Sequence, residues 1–393
     1  MENEKESALP TAEEAARRFD GFEPDQALRQ ETLCAALAKV RANLPAFTAK
    51  FPHVSVHNVY RPEENRLWTA SFFPGMAYLA YDLTGDPGYL ACRRDYLASF
   101  AHRLAFGHTQ THDLGFLYTL SCVADWRLTG DTDARDTALR AAKKLALRYH
   151  ANGGYIQAWG PMGSAYPDVK IIIDCMMNLP LLYWASETAG DPAYAAMAAR
   201  HAEVSVRCLI RADDSTYHTC LMDPATGRAV RGKTHQGYAD ESTWARGQAW
   251  AVYGFALSYR YTRKAPFLDA ARRTARYFLR NLPADFVPYW DFTFTDAHPD
   301  IRDSSAAAIL ACGLLELARW LDGEESALCR RAAARVVESL CRSYTTRSCP
   351  ASNGLLLHGM YHRDDGADEC TAWGDYFYLE ALVRLQKDWK PFW

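Results

Sequence analysis

Two aspartates stand in company that a surface acid avoids: Asp113 within THDLGF at 111–116 and Asp174 within IIIDCMMNL. A carboxyl set among Ile, Cys and Met loses hydration, which raises its pKa. A helix N-terminus pulls the other way, and a second carboxylate nearby pushes it up again. Two acids split in this way suit general acid/base work at a sugar, one donating a proton while the other stays an anion. The alternative is helix capping, for which Asp and Ser are favoured. Asp303 and Asp375, also at helix starts, read first as caps; Asp113 and Asp174 read first as a pair.

Aromatic residues gather at the same places. Trp68, Phe116, Trp159, Trp244 and Trp250 all fall at or near the face where the inner helices start, Trp159 in a loop, and flat indole surfaces suit the apolar faces of pyranose rings. Taken singly Trp250 reads as core; taken together the group points to a carbohydrate cleft. Arg246 follows Trp244 among apolar and aromatic neighbours, an expensive position unless it meets an anion. That anion is either an acidic sugar or an internal partner, Asp240 or Glu241. His218, His235 and Gln236 lie in a long connection, 211–240, whose TCLMDPATGRAV stretch reads as a β-hairpin turning at 223–227. They are placed to orient substrate hydroxyls or a carboxylate, or are ordinary loop residues.

Other chemistries lack their motifs. The twelve histidines show no H-E-x-x-H, so no metal site is expected, and no G-x-S-x-G, P-loop or G-x-G-x-x-G occurs. No cofactor is expected. With 49% hydrophobic residues, 13% aromatic and net charge −3, the chain reads as a soluble globular protein without the basic field that draws nucleic acid or membrane. The start, MENEKESALP, has no signal-peptide core and no stretch is long enough to span a bilayer. Eleven cysteines without a C-x-x-C pair read as reduced thiols, consistent with a cytoplasmic protein.

The elements that must position these residues recur along the chain. An apolar helix ends in Gly-Asp and an amphipathic helix follows: Leu-Thr-Gly-Asp at 83–86 and 128–131, Ala-Gly-Asp at 189–191, with looser versions near Lys264 and Gly323. Gly supplies the C-cap and Asp the next N-cap, so each unit is an αα-hairpin. Buried helices are predicted from near 71, 113, 172, 241, 303 and 373, amphipathic ones from near 27, 86, 132, 191, 265 and 324. Six of each make an all-α fold, an (α/α)6 toroid whose inner helices start at one end. The long connections 151–171, 211–240, 281–302 and 347–372 gather there, where function is usually built. Residues 1–25 read as a flexible polar start and 26–393 as one catalytic domain.

Taken together, THDLGF, DCMMNLPLL at 174–182, HQGYADESTWARGQAWAVYG at 235–254, RDSSAAAI at 302–309 and WGDYFYLEAL at 373–382 resemble the unsaturated glucuronyl hydrolases, glycoside hydrolase family 88. The likeness runs in order from about residue 60. It implies an (α/α)6 barrel that removes 4,5-unsaturated uronic acid from the non-reducing end of lyase-made oligosaccharides by hydrating the vinyl ether. By that resemblance Asp174 is the general acid/base and Asp113 the second essential acid. Trp68, His112, Phe116, Trp159, His218, His235, Gln236, Trp244, Arg246 and Trp250 line the sugar subsites, with Gln236 and Arg246 toward the uronate. The partner is then an unsaturated uronic-acid oligosaccharide and the enzyme a monomer or weak homo-oligomer. Relatives preferring sulfated glycans carry a Ser/Lys cluster where this chain has HGMYHRDDGADEC at 358–370; His362 and Arg363 beside Asp364 and Asp365 leave sulfate preference open. Three rivals remain: an unsaturated rhamnogalacturonyl hydrolase, a histidine-dependent isomerase or epimerase, and a carbohydrate-binding toroid whose acids are caps.

Overall fold

The turns that join inner helices to outer ones set the architecture. Gly85, Gly130 and Gly190 each end a helix in the left-handed region, at φ of 71°, 74° and 68°, where a glycine meets no Cβ penalty. The aspartate that follows each one accepts amides of the next segment: Asp86 from Gly88, Asp131 from Asp133 and Ala134, Asp191 from Ala193. The αα-hairpins expected from the Gly-Asp recurrence form as read. In the first, Asp86 caps a short 3-10 turn, Pro87–Leu90, so the outer helix starts later than residue 86. Near Lys264 the glycine's place is taken by Arg263 at φ 57°.

The structure, a computed structural model, describes residues 12–163 and 168–393. After α1 (Ala12–Arg17), outer and inner helices alternate. Outer α2 (Gln26–Asn43) leads to inner α3 (Phe72–Thr84). Outer α4 (Arg93–Phe106) leads to α5 (Leu114–Tyr118), which runs through a π turn (Thr119–Val123) into α6 (Ala124–Thr129) as one inner stretch. Then come α7 (Thr132–Ala146) and inner α8 (Pro180–Ala189), α9 (Pro192–Leu209) and inner α10 (Ala245–Thr262), α11 (Ala265–Arg280) and inner α12 (Ser304–Leu317), α13 (Gly323–Ser339) and inner α14 (Ala372–Gln386). Inner helices pack on one another in sequence, and α14 packs back on α3, closing the ring. The fold is an (α/α)6 toroid. Every residue of α12 is buried, whereas α11 buries only one stripe, Phe267, Ala270, Ala271, Thr274, Ala275, Phe278 and Leu279. One contiguous core runs from Phe19 to Trp393.

Two expectations are corrected. The inner helix expected from near 172 begins at Pro180, a residue suited to a first helical position because its missing N–H has no partner there anyway. The β-branched run before it forms a strand, Lys170–Ile172, instead, followed by a 3-10 turn, Ile173–Met177. Of the polar start, residues 1–11 lie outside the described residues. From Arg18 onward it is docked, with Arg18 donating to the carbonyls of Leu282 and Pro283 and Phe19 buried against Phe286.

Small antiparallel sheets fill the long connections at the inner-helix starts. β1 (Tyr149–His150) pairs with β2 (Tyr155–Ile156); β3 (Lys170–Ile172), β4 (Thr219–Met222) and β5 (Ala229–Lys233) form a three-stranded sheet; β6 (Gly359–His362) pairs with β7 (Asp365–Glu369). The β4–β5 hairpin is the one read from TCLMDPATGRAV; the others carry no such expectation. Residues 164–167 of the 151–171 connection lie outside the described residues. All eleven cysteines are free thiols. Among the described residues no helix is long and apolar enough to cross a membrane, and no cluster of side chains is arranged to hold a metal ion.

Candidate active site

Asp113 occupies the N-cap position of α5, yet its side chain accepts none of that helix's amides. The carboxylate turns aside to accept the Thr111 hydroxyl at 2.7 Å, and its Oδ1 lies 3.4 Å from His112 Nε2. Asp174 is not a cap either: it lies inside the 3-10 turn that follows β3. Its side chain is 17% exposed, and its Oδ2 sits 3.7 Å from His218 Nε2 without a hydrogen-bond partner among the described residues. Burial pushes the Asp174 carboxyl up to about 7, the nearby charge of Asp113 adds to the rise, and Arg246 opposes it. A proton is therefore held near neutrality on a carboxyl that faces a second one.

The histidine nearest Asp174, His218, is neutral, its Nδ1 being an acceptor. Burial drives His218 well below the usual histidine range and lowers His112 too. His218 Nδ1 accepts the backbone amides of His235 and Gln236 at 3.1 and 3.0 Å, so its proton sits on Nε2, directed at Asp174. The ring lies against Trp244, with centroids 4.2 Å apart and planes tilted by 34°. His112 reaches the site because its amide donates to the Ala158 carbonyl and Thr111 bridges Trp159, bringing the Trp159 loop beside Asp113.

Burial divides the aromatic residues into two groups. Trp68 and Trp159 are half-buried, with exposed His235 5.0 Å from the Trp159 ring and Lys170 5.6 Å above it. Phe116 and Trp250 are fully buried 5.3 Å apart, so they belong to the core and present no face to solvent. Trp244, at the start of α10, lies between His218 and the Arg246 guanidinium, which is 4.4 Å from its ring.

Arg246 has an internal partner, but not Asp240 or Glu241. It pairs with Asp303 at 3.1 Å and donates to the carbonyls of Met360 and Tyr361. Gln236 donates to the Tyr361 carbonyl as well, at 3.0 Å. Both residues expected on the uronate side thus also fasten β6 over the inner helices. Asp303 caps α12 as read, accepting the amides of Ser305 and Ala306. Asp375 does not cap α14, whose cap is Thr371; it accepts the Leu355 and Leu356 amides and the Tyr60 hydroxyl, and burial pushes it up to about 7.

Tyr361 and Asn178 escaped the reading of the sequence. Tyr361 sits half-buried between His53 at 4.9 Å and Trp373 at 5.4 Å. The Arg363-Asp364 turn, followed by Asp365-Gly366, was the available sign of the hairpin that presents it. Asn178, within DCMMNLPLL, looks like one more helix residue until the neighbouring segment is in view.

Residues 42–339 match the profile described as Glycosyl Hydrolase Family 88. The unsaturated glucuronyl hydrolase of Bacillus sp. strain GL1 is 46% identical over 370 residues, 93% of this chain and 98% of that one. The crystal structure of unsaturated glucuronyl hydrolase from Streptococcus agalactiae superposes with a TM-score of 0.93 at 38% identity, covering 98% of each chain. A mutant of the S. agalactiae hydrolase complexed with dGlcA-GalNAc6S superposes with a TM-score of 0.85 at 35% identity, over 96% of this chain and 97% of that one.

Proposed function

The chain belongs to Glycosyl Hydrolase Family 88, and on that footing we propose that it releases 4,5-unsaturated glucuronic acid from the non-reducing end of lyase-made glycosaminoglycan-type oligosaccharides. The observation that carries the reading is Asp174, a largely buried carboxyl 3.7 Å from His218 Nε2, which burial and the charge of Asp113 raise to about 7.

The chemistry follows from what such an acid is able to do. Asp174 gives its proton to C4 of the vinyl ether, and the positive charge that develops is shared between C5 and the ring oxygen. Water adds at C5 and returns a proton to the Asp174 carboxylate, restoring the acid. The C5 hemiketal opens by breaking the bond to the ring oxygen, and the hemiacetal left at C1 collapses to free the leaving sugar. No carboxylate attacks C1, so neither the retaining nor the inverting spacing of ordinary glycosidases applies. Asp113 supports the proton transfers, the neutral His218 N–H orients the acid and the incoming hydroxyls, and Trp68 and Trp159 stack on the sugars. The Arg246 charge, buried beside Asp174, favours the substrate carboxylate. Supporting one catalytic unit at 26–393 is the single core; supporting a cytoplasmic setting are the eleven free thiols. We take the enzyme to act as a monomer or weak homo-oligomer without a cofactor.

The test is a panel of unsaturated disaccharides, sulfated and unsulfated, from chondroitin, hyaluronan, heparin, gellan and pectin lyase digests. Hydration removes the ultraviolet absorbance of the C4–C5 double bond, and that decay is expected for the glucuronyl substrates. Persistence of the absorbance across the panel defeats the proposal, and decay confined to the rhamnogalacturonan disaccharide replaces it with that activity.

A further inference from the structure

The two acids come from separate elements, and no direct bond joins their side chains. Asp113 stands at the foot of α5 and Asp174 in the turn after β3. A single side chain spans both. Asn178 is fully buried; its Oδ1 accepts the Phe116 amide at 2.7 Å and its Nδ2 donates to the Asp174 carbonyl at 3.3 Å.

The first of these bonds has an unusual donor. Counting from Asp113 as N-cap, Phe116 is the third helical residue, and its amide is the one an N-cap aspartate ordinarily binds. At Asp131 and Asp303 the cap does bind its own helix, through Ala134 and Ala306 among others. At α5 the acceptor comes from another segment, and the Asp113 carboxylate is left free of its own helix. Gly115 permits the approach: a Cβ there would come within 2.2 to 2.5 Å of Asn178 Cα, O and Cβ.

We propose that Asn178 is a positioning residue for the acid pair: it caps α5 in place of Asp113, frees that carboxylate to face Asp174, and fixes the separation of the two. The proposal rests on the reading of Asp174 as the acid/base. Without Asn178 the open amides of α5 draw Asp113 back into an ordinary cap, away from Asp174.

The test uses the full-length chain carrying Asn178→Ala, Asp113→Asn or both, with kcat, KM and the pH profile measured on a glucuronyl disaccharide that the unaltered enzyme cleaves. Asn178→Ala is expected to lower kcat on the order of 10²-fold, the scale of a misplaced catalytic group, with KM changed far less. The alkaline limb of its profile is expected at lower pH, because Asp174 loses the push of Asp113. In the Asp113→Asn background the same change is expected to cost only a few-fold, since the group it positions is gone. Asn178→Asp keeps an oxygen for the Phe116 amide and is expected to regain most of kcat, with the limb displaced upward by the added charge; it carries the test if the alanine variant fails to fold. Equal losses in both backgrounds with an unmoved limb, or an aspartate variant as impaired as alanine, overturn the proposal. An unaltered enzyme inactive on the whole panel instead defeats the functional reading itself.

Discussion

Asp174 pays twice for its position, once in hydration lost and once in the neighbouring charge of Asp113. Asp174→Asn is expected to lose on the order of 10²–10⁴-fold in rate while still binding disaccharide, checked by initial rates and by titration. An unchanged rate removes Asp174 from the mechanism. In the unaltered enzyme the rate is expected to fall as pH rises through about 7, because the protonated acid is depleted. The same displacement has a sign for stability. A carboxyl raised above its unfolded value leaves the folded chain holding its proton longer, so stability declines as pH climbs from about 4 toward 7. Removing the ionisable group relieves at most about 4 kcal/mol. Asp174→Asn is thus expected to melt above the unaltered protein at pH 8 and level with it below about pH 4; a lower midpoint at pH 8 refutes this. That these two acids were legible at all follows from their apolar neighbours. Asn178 was not, because its meaning lies in an amide from a segment 62 residues away.

At the scale of elements, what was legible followed from local physics and what was not required a partner. The Gly-Asp turns were readable because a left-handed C-cap and a following N-cap are properties of adjacent residues. The start of α8 was misplaced because a fully buried strand and a buried helix share one apolar pattern, and Ile171 to Ile173 fit both. The β6–β7 hairpin and its anchor at Arg246 were hidden for a different reason: the anchor is made of Asp303 and two backbone carbonyls, none of them near Arg246 in the chain. Its removal is therefore informative. Arg246→Met leaves Asp303 buried without its cation and the Met360 carbonyl without that donor, while the Tyr361 carbonyl keeps Gln236, an expected cost of about 3–5 kcal/mol in urea unfolding. The hairpin at 359–369 is expected to become the first site of proteolytic cutting under native conditions. A variant within about 1 kcal/mol of the unaltered protein, uncut there, shows that the hairpin is held by other means.

The whole molecule is a ring with a working end and a closed end, and only the first was evident from loop lengths. Closure depends on α14 meeting α3 and on what fills the middle, neither of which a helical period reveals. At the centre, Trp393 lies parallel to Phe377 at 5.7 Å and edge-on to Phe116 at 5.9 Å, beneath the helix that carries Asp113. Its indole N–H donates to Glu380 at 2.8 Å and its carbonyl accepts the Tyr261 hydroxyl at 3.0 Å. Glu380 keeps a second partner in Arg384. Trp393→Ala therefore empties a large apolar volume without stranding that carboxylate, and the expected loss is about 3–5 kcal/mol, read from urea or thermal unfolding. The acids keep their own bonds to Thr111 and Asn178, so kcat and KM at a temperature where the variant is folded are expected to stay within a few-fold of the original. A kcat that collapses while the protein remains folded assigns Trp393 a share in holding Phe116, and with it the foot of α5, in the geometry the acid pair needs.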